Sequence, residues 1–220
     1  MKIYAINGSP RHHGNTAILL QHALEGAASN GAETELIHLT DHQFSGCKSC
    51  FACKLNNAPT YGKCAIQDEL TPLLEKLLAG DGIFFGTPIY FGGETGMFRN
   101  LIERLYFANF RYDPAHSSLI KRKIQTAFIY TMNVPQEGAE QHRYGERLRM
   151  LRAFGGHLFN CGEPPVLFAY NTKQFDDYSK YDATLFDAAD KERSRQEQFP
   201  LDCHTAFQMG KAMTESIQNG

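Results

Sequence analysis

The sequence predicts a doubly wound α/β domain, a three-layer α/β/α sandwich around a five-stranded parallel sheet in the order 2-1-3-4-5. Three observations carry this. Short apolar runs alternate with helical periods along the chain, which favours parallel strands joined by helical crossovers. Five such runs suit the smaller of the doubly wound strand orders. The 220 residues are 42% hydrophobic and 21% charged. That is an ordinary globular composition, long enough to bury about three-quarters of the unfolded surface without disulfide or metal staples.

Residues 2–7 form a short apolar run that stops at Gly8, a buried strand. Residues 16–28 place Leu19, Leu20, Ala23, Leu24 and Ala27 at helical spacing. Residues 33–38 are a second strand, after the turn signal Asn30-Gly31. Residues 40–67 lack a clean period. Residues 68–79 are helical, with Pro72 early enough to do little harm. A third strand at 81–86 leads through a loop at 87–93 into a helix from about 95 to 107. A fourth strand covers 123–130, and a helix at 140–154 stops at Gly155-Gly156. Residues 157–170 contain a fifth strand interrupted by Pro164-Pro165. A last helix at 202–218 turns Phe207, Gly210, Met213 and Ile217 inward.

Residues 171–201 break the alternation. They are polar yet carry Phe175, Tyr178, Tyr181, Phe186 and Phe199, more aromatics than a disordered linker holds. An ordered arm over the domain or over a partner subunit is the preferred reading, and an irregular surface loop is the alternative. The chain thus reads as one domain over 1–220, with an insertion at about 40–67 and an arm plus final helix at about 171–220. There are no internal repeats.

A net charge of −2 argues against a nucleic-acid footprint. No apolar run approaches the ~20 residues of a membrane span. The first residues run too quickly into Asn7-Gly8-Ser9-Pro10 for a signal peptide, so a cytoplasmic location is expected.

Ligands of doubly wound folds bind outside the carboxyl ends of the strands. The first such loop, residues 8–16, enters a helix whose N-terminus makes an anion site. Ser9, Asn15 and Thr16 add polar groups, and Arg11 adds a fixed charge suited to phosphate. His12 and His13 are expected to face solvent. The loop has neither the Gly-Lys-Ser/Thr of a nucleoside-triphosphate loop nor the Gly-x-Gly-x-x-Gly of a dinucleotide fold. A terminal monophosphate, as on FMN, fits it; a simple capped β–α turn is the alternative. In the loop after the third strand, Pro88 adds stiffness, and Ile89, Tyr90 and Phe91 add apolar surface for a ring system. Gly92 and Gly93 permit close backbone approach. Glu94 and Tyr90 are candidates for shaping the pocket, and no side-chain acid or base is assigned.

Six cysteines are present, and four of them, Cys47, Cys50, Cys53 and Cys64, fall in the insertion. Four thiolates could hold a [4Fe–4S] cluster or a zinc ion. Two adjacent Cys-x-x-Cys steps wrap a cube better than a single ion. Free thiols lining a loop, or a redox disulfide, remain open. Cys161 and Cys203 read as buried small apolar side chains.

Asn7-Gly8-Ser9-Pro10-Arg11, then Gly14-Asn15-Thr16, resembles the phosphate loop of the NADPH-dependent FMN reductase branch of flavodoxin-like proteins. Gly86-Thr87-Pro88-Ile89-Tyr90-Phe91, then Thr95-Gly96 and Leu101-Ile102-Glu103-Arg104, resembles that branch's isoalloxazine loop and following helix. The Cys47–Cys53 spacing resembles its iron–sulfur flavoprotein subgroup. That subgroup's fourth cysteine lies closer to the third, whereas residues 54–63 lengthen the gap here. The resemblance spans roughly residues 1–165 and implies a flavodoxin-like fold, non-covalent FMN and a homodimer or homotetramer. It implies phosphate contacts from Ser9, Arg11, Asn15 and Thr16, and ring contacts from Pro88, Ile89, Tyr90, Phe91, Gly92 and Gly93. Thr131 and Asn133, after the fourth strand, are carried over on position alone.

The expectation is an FMN-dependent oxidoreductase that passes hydride from NAD(P)H to a quinone, a nitro- or azo-aromatic compound, or free flavin. A second reading is an iron–sulfur flavoprotein taking single electrons from a ferredoxin-like donor. A third is a non-enzymatic binding module.

Overall fold

Lys2–Asn7 forms β1 in the computed structural model, which describes residues 1–219. The chain continues through α1 (Asn15–Ser29), β2 (Glu33–His38), α2 (Leu70–Ala79), β3 (Gly82–Tyr90), β4 (Gly93–Glu94) and α3 (Gly96–Asn109). It then forms β5 (Gln125–Thr131), α4 (Gln136–Gln141), α5 (Tyr144–Leu158), β6 (Val166–Ala169) and α6 (Ala188–Gln218). The five long strands are parallel in the order β2-β1-β3-β5-β6, which is the flavodoxin-like arrangement expected from the sequence. The sheet has six strands rather than five, because the two-residue β4 folds back antiparallel on the end of β3.

Strand periodicity builds two cores. Tyr4, Ile6, Phe85, Phe128 and Tyr130 face one side, against Leu73 and Leu77 of α2, Leu101 and Leu105 of α3 and Leu148 of α5. Ile3, Ala5, Phe84, Ala127 and Ile129 face the other, against Leu20 and Leu24 of α1 and Ala206 and Met213 of α6. Covering both faces is what a parallel sheet requires. The backbones of α1 and α6 touch. A Cβ on Gly210 would stand 1.9 Å from Ala23 O, and one on Gly26 would stand 1.9 Å from Phe207 O.

Several boundaries differ from the sequence expectation. Residues 87–90 are not loop. They extend β3, with Thr87 and Pro88 in register with Tyr130 and Thr131 of β5. Gly155-Gly156 does not stop a helix but lies inside α5. These glycines serve packing instead. A Cβ on Gly155 would meet the Tyr106 hydroxyl at 2.1 Å, and one on Gly156 would meet Gly162 O at 1.8 Å. The helix expected at 140–154 is broken at Arg143, in the left-handed region at φ 55°, so that α4 and α5 are separate. The final helix begins at Ala188, well before the expected 202, and runs through Pro200. Cys161 and Cys203 are half-buried rather than buried. Among the described residues no helix is long and apolar enough to cross a membrane.

Candidate functional site

The carboxyl ends of β1, β3 and β5 open into a cleft of about 600 Å³, a size typical of small-molecule sites. Its lining includes Ser9, Arg11, Asn15, Thr16, Pro88, Ile89, Tyr90, Thr131 and Asn133. The first loop leads into an open helix N-terminus. Gly14 caps α1 without a side-chain bond, and there is no acidic residue in the first turn. Ile18 N–H is bonded to Gly14 O at 3.1 Å. The N–H groups of Asn15, Thr16 and Ala17 therefore have no intrahelical acceptor. Asn7 shapes the loop from below: its Oδ1 accepts from Ser9 N at 3.0 Å and its Nδ2 donates to Arg11 O at 3.3 Å. The Ser9 hydroxyl accepts from Arg11 N at 3.1 Å. Thr16 and Thr131 pair through their hydroxyls at 2.8 Å, tying the loop to the end of β5.

His12 and His13 also line the cleft and are exposed, but His12 is held. Its ring stacks on His38 with centroids 4.3 Å apart, and its Nε2 sits 2.8 Å from Asp41. Asn7 Nδ2 also lies 2.9 Å from His38 Nδ1. Burial, and then the His12 imidazole, lower the His38 pKa below its ordinary value.

Of the residues expected at the ring, Pro88, Ile89 and Tyr90 line the cleft, whereas Phe91, Gly92 and Gly93 form the β3–β4 hairpin tip beside it. Phe91 is fully exposed with φ 52°. Gly92 faces Tyr144 and Arg147.

One wall was not legible from local sequence. It comes from Thr172, Lys173, Gln174, Phe175 and Asp176 of the arm, with Arg195 of α6. Arg11 Nη1 donates to Gln174 O at 2.6 Å, and Asn15 Nδ2 donates to Lys173 O at 2.9 Å. Arg195 Nη1 donates to Asn15 Oδ1 at 3.2 Å. The arm holds itself by stacking Phe175 on Tyr181 with centroids 4.1 Å apart. Lys191, buried beneath it, donates to Asn133 O and Asn171 Oδ1. Burial lowers the Lys191 pKa. The density of aromatics in a charged segment was the available signal for this wall.

Cys47, Cys50, Cys53 and Cys64 line a second, apolar pocket against α3, together with Arg104 and Phe107. All six cysteines are free. Burial pushes the Cys53 thiol up. Among the described residues no group of three or more His, Cys, Asp or Glu side chains is placed to hold a metal ion. The insertion is fixed to α3 at two points. Lys54 Nζ donates to the carbonyl oxygens of Phe107, Ala108 and Phe110 at the helix C-terminus, where a cation is favoured. Arg104 grips the other flank through Asp68 Oδ2 at 2.6 Å.

The sequence pattern of the NADPH-dependent FMN reductases matches residues 1–142. The chain belongs to that family. Among curated proteins, it is 41% identical over 104 residues to an iron–sulfur flavoprotein of Methanocaldococcus jannaschii, covering 47% of this chain and 51% of that one. It is 43% identical over 104 residues to an iron–sulfur flavoprotein of Archaeoglobus fulgidus, covering 47% and 48% of the two chains. The aligned part spans about half the length of the curated relatives. A solved NAD(P)H:quinone oxidoreductase from Methanothermobacter marburgensis shares the fold, with a TM-score of 0.66 at 14% identity over 96% of both chains. In this FMN reductase family member, the matched region carries the first loop, the β3–β4 hairpin and the cysteine insertion, but not the arm.

Proposed function

We propose that the protein is an FMN-dependent NAD(P)H oxidoreductase whose cofactor lies in the cleft at the ends of β1, β3 and β5. The observation that carries this is the open N-terminus of α1, with Arg11 and Arg195 beside it and Ser9 and Thr16 lining the same cleft. That donor set suits a phosphate monoester. Pro88, Ile89 and Tyr90 offer an apolar wall for a flat ring, and Thr131 and Asn133 border the cleft. FMN supplies hydride acceptance from a reduced nicotinamide and onward delivery to a small acceptor such as a quinone or an azo- or nitro-aromatic compound. The chain's part is to hold the phosphate, orient the ring and leave one edge open to the second substrate. Freshly purified protein should show a flavin spectrum that bleaches anaerobically on addition of NADPH or NADH and recovers with a quinone. Absence of flavin, with no nicotinamide oxidation by any acceptor, would leave only a binding module.

A second centre is favoured by the thiol pocket. Four cysteine thiols lining one apolar pocket match the four-thiolate donor set of a [4Fe–4S] cluster. Cys47, Cys50, Cys53 and Cys64 would hold it. A cluster supplies one-electron exchange, which suits a ferredoxin-like donor. Near-stoichiometric iron and sulfide after anaerobic purification is the expected result; neither one, with four reactive thiols, counts against it. The fully exposed Phe91 beside the half-exposed Tyr90 at the cleft mouth supports a homodimer or homotetramer, testable by light scattering. Six unpaired thiols support a cytoplasmic location.

A further inference from the structure

Arg104 is among the largest fully buried side chains of the described residues, and all five of its N–H donors are engaged. Nε donates to Cys64 Sγ at 3.3 Å. Nη1 donates to Ser45 O at 3.1 Å and to Asp68 Oδ2 at 2.6 Å. Nη2 donates to Ile66 O at 3.3 Å and to Thr71 Oγ1 at 3.4 Å. These acceptors lie on both sides of the cysteine insertion, Ser45 just before Cys47 and Ile66, Asp68 and Thr71 just after Cys64. One planar group thus closes the base of the insertion and touches one of its four sulfurs. A buried guanidinium is costly unless paired, and here its one carboxylate partner is Asp68. That carboxyl is itself held by Ser45 N–H at 3.3 Å and Leu70 N–H at 3.1 Å. Gly46 packs so closely on α3 that a Cβ would meet Asn100 Oδ1 at 2.6 Å. The entry to the insertion is therefore fixed independently of the cysteines.

Cys64 needs this help. It follows Cys53 by eleven residues, and although Gly62 N–H is bonded to Cys53 O at 3.0 Å, that backbone bond does not fix the Cys64 thiol itself. Cys47, Cys50 and Cys53 are positioned by their own tight spacing and by the turn at Ala52–Lys54. The Nε–H bond to Cys64 does for the fourth thiol what chain spacing does for the other three.

We propose that Arg104 is the positioning residue of the thiol pocket, fixing Cys64 as the fourth ligand and setting the reduction potential of the iron–sulfur group held there. The inference rests on the cluster reading above. An N–H donor to a ligand sulfur and a nearby cation both stabilise the more negative, reduced state, so they raise the potential. Asp68 opposes the charge. Removing each partner therefore has opposite consequences. Arg104→Gln removes the cation and the Nε–H donor and lowers the potential. Asp68→Asn leaves the cation uncompensated and raises it. A residue that merely braced the loop would affect retention in both variants but would not drive the potentials apart.

The test is anaerobic reconstitution of the full chain with iron and sulfide, followed by spectroelectrochemical titration of wild type, Arg104→Gln and Asp68→Asn. Bound flavin serves as the independent measure of folding. The expected result is about four iron per wild-type chain, faster cluster loss in Arg104→Gln, and midpoint shifts of opposite sign in the two variants. Equal potentials, or shifts of the same sign, overturn the proposal while leaving the cluster in place. Wild type that retains flavin but takes up no iron overturns the cluster reading, and the proposal with it. If Arg104→Gln yields no folded protein, Asp68→Asn decides alone: a raised potential supports the assignment and an unchanged one rejects it.

Discussion

Thr16 and Arg11 meet the proposed phosphate from different elements, the first from the opening turn of α1 and the second from the loop before it. Each supplies a polar donor at the mouth of a helix dipole, where hydrogen bonds to a charged group are worth about 1.5–3 kcal/mol. Arg11→Ala combined with Thr16→Ala should therefore weaken FMN retention by at least tenfold, read as flavin fluorescence released on dilution; unchanged retention would place the phosphate elsewhere. His38 acts on the same loop indirectly, through Asn7. Its folded pKa lies below the ordinary value, chiefly through burial and then through the stacked His12, with His13 acting the same way and Asp41 opposing. The unfolded chain's imidazole takes a proton near pH 6.5, and the folded one only at lower pH. Between those points the unfolded state binds more protons, so stability falls as pH drops through about 6.5 and levels off below the folded value. His38→Gln should flatten that limb of a denaturation-midpoint profile. A variant whose stability still falls as steeply over the same range would show that another group is responsible.

At the scale of elements, α3 joins the two proposed centres. Its N-cap, Thr95, accepts from Phe98 N at 3.3 Å and donates to Gly8 O at 2.8 Å, so the helix starts against the first loop. Nine residues on, about 13 Å along the axis, Arg104 reaches the cysteine insertion. The opposite layer depends on the α1–α6 crossing, where Gly26 and Gly210 let the backbones touch. Gly210→Ala places a methyl group against Ala23 O and should destabilise the fold by about 1–3 kcal/mol, seen as a lowered thermal midpoint; an unchanged midpoint would mean that the helices separate freely. Such contacts explain which elements were legible. Lys2–Asn7 and Glu33–His38 match their sequence-derived bounds because short apolar or alternating runs ended by turn residues carry their own signal. Gly155-Gly156 gave a false stop, since a local pattern cannot distinguish a capping glycine from one kept small by Tyr106 and by the Gly162 carbonyl. The last helix starts fourteen residues before the expected 202 and runs through Pro200, with Phe199 and Asp202 buried on either side of it.

Across the whole molecule, the cleft is completed by chain segments far apart in sequence. Arg195 meets Asn15 across 180 residues and Arg11 meets Gln174 across 163, separations that no period or motif encodes. The two loops on the strand ends could be found from sequence because the fold itself places them together; the arm could only be suspected from its aromatics. Its contact with Arg11 has a consequence for ligand binding. A guanidinium has five donors, and the bond to Gln174 O uses one of them. Arg11 can thus hold the arm and a phosphate together, while Arg195 adds charge from α6 and Lys173 is paired with Glu192 at 2.6 Å. Filling the cleft then gives the arm new partners without removing its old ones, and ligand binding draws stability from the same contacts. Limited proteolysis should cut residues 171–187, the longest stretch without extended secondary structure near the cleft, more slowly when FMN is bound. The protection should weaken in Arg11→Ala at matched FMN occupancy. Equal cleavage with and without FMN would mean that the cofactor does not engage the arm, and accelerated cleavage would mean that the phosphate displaces Gln174 from Arg11.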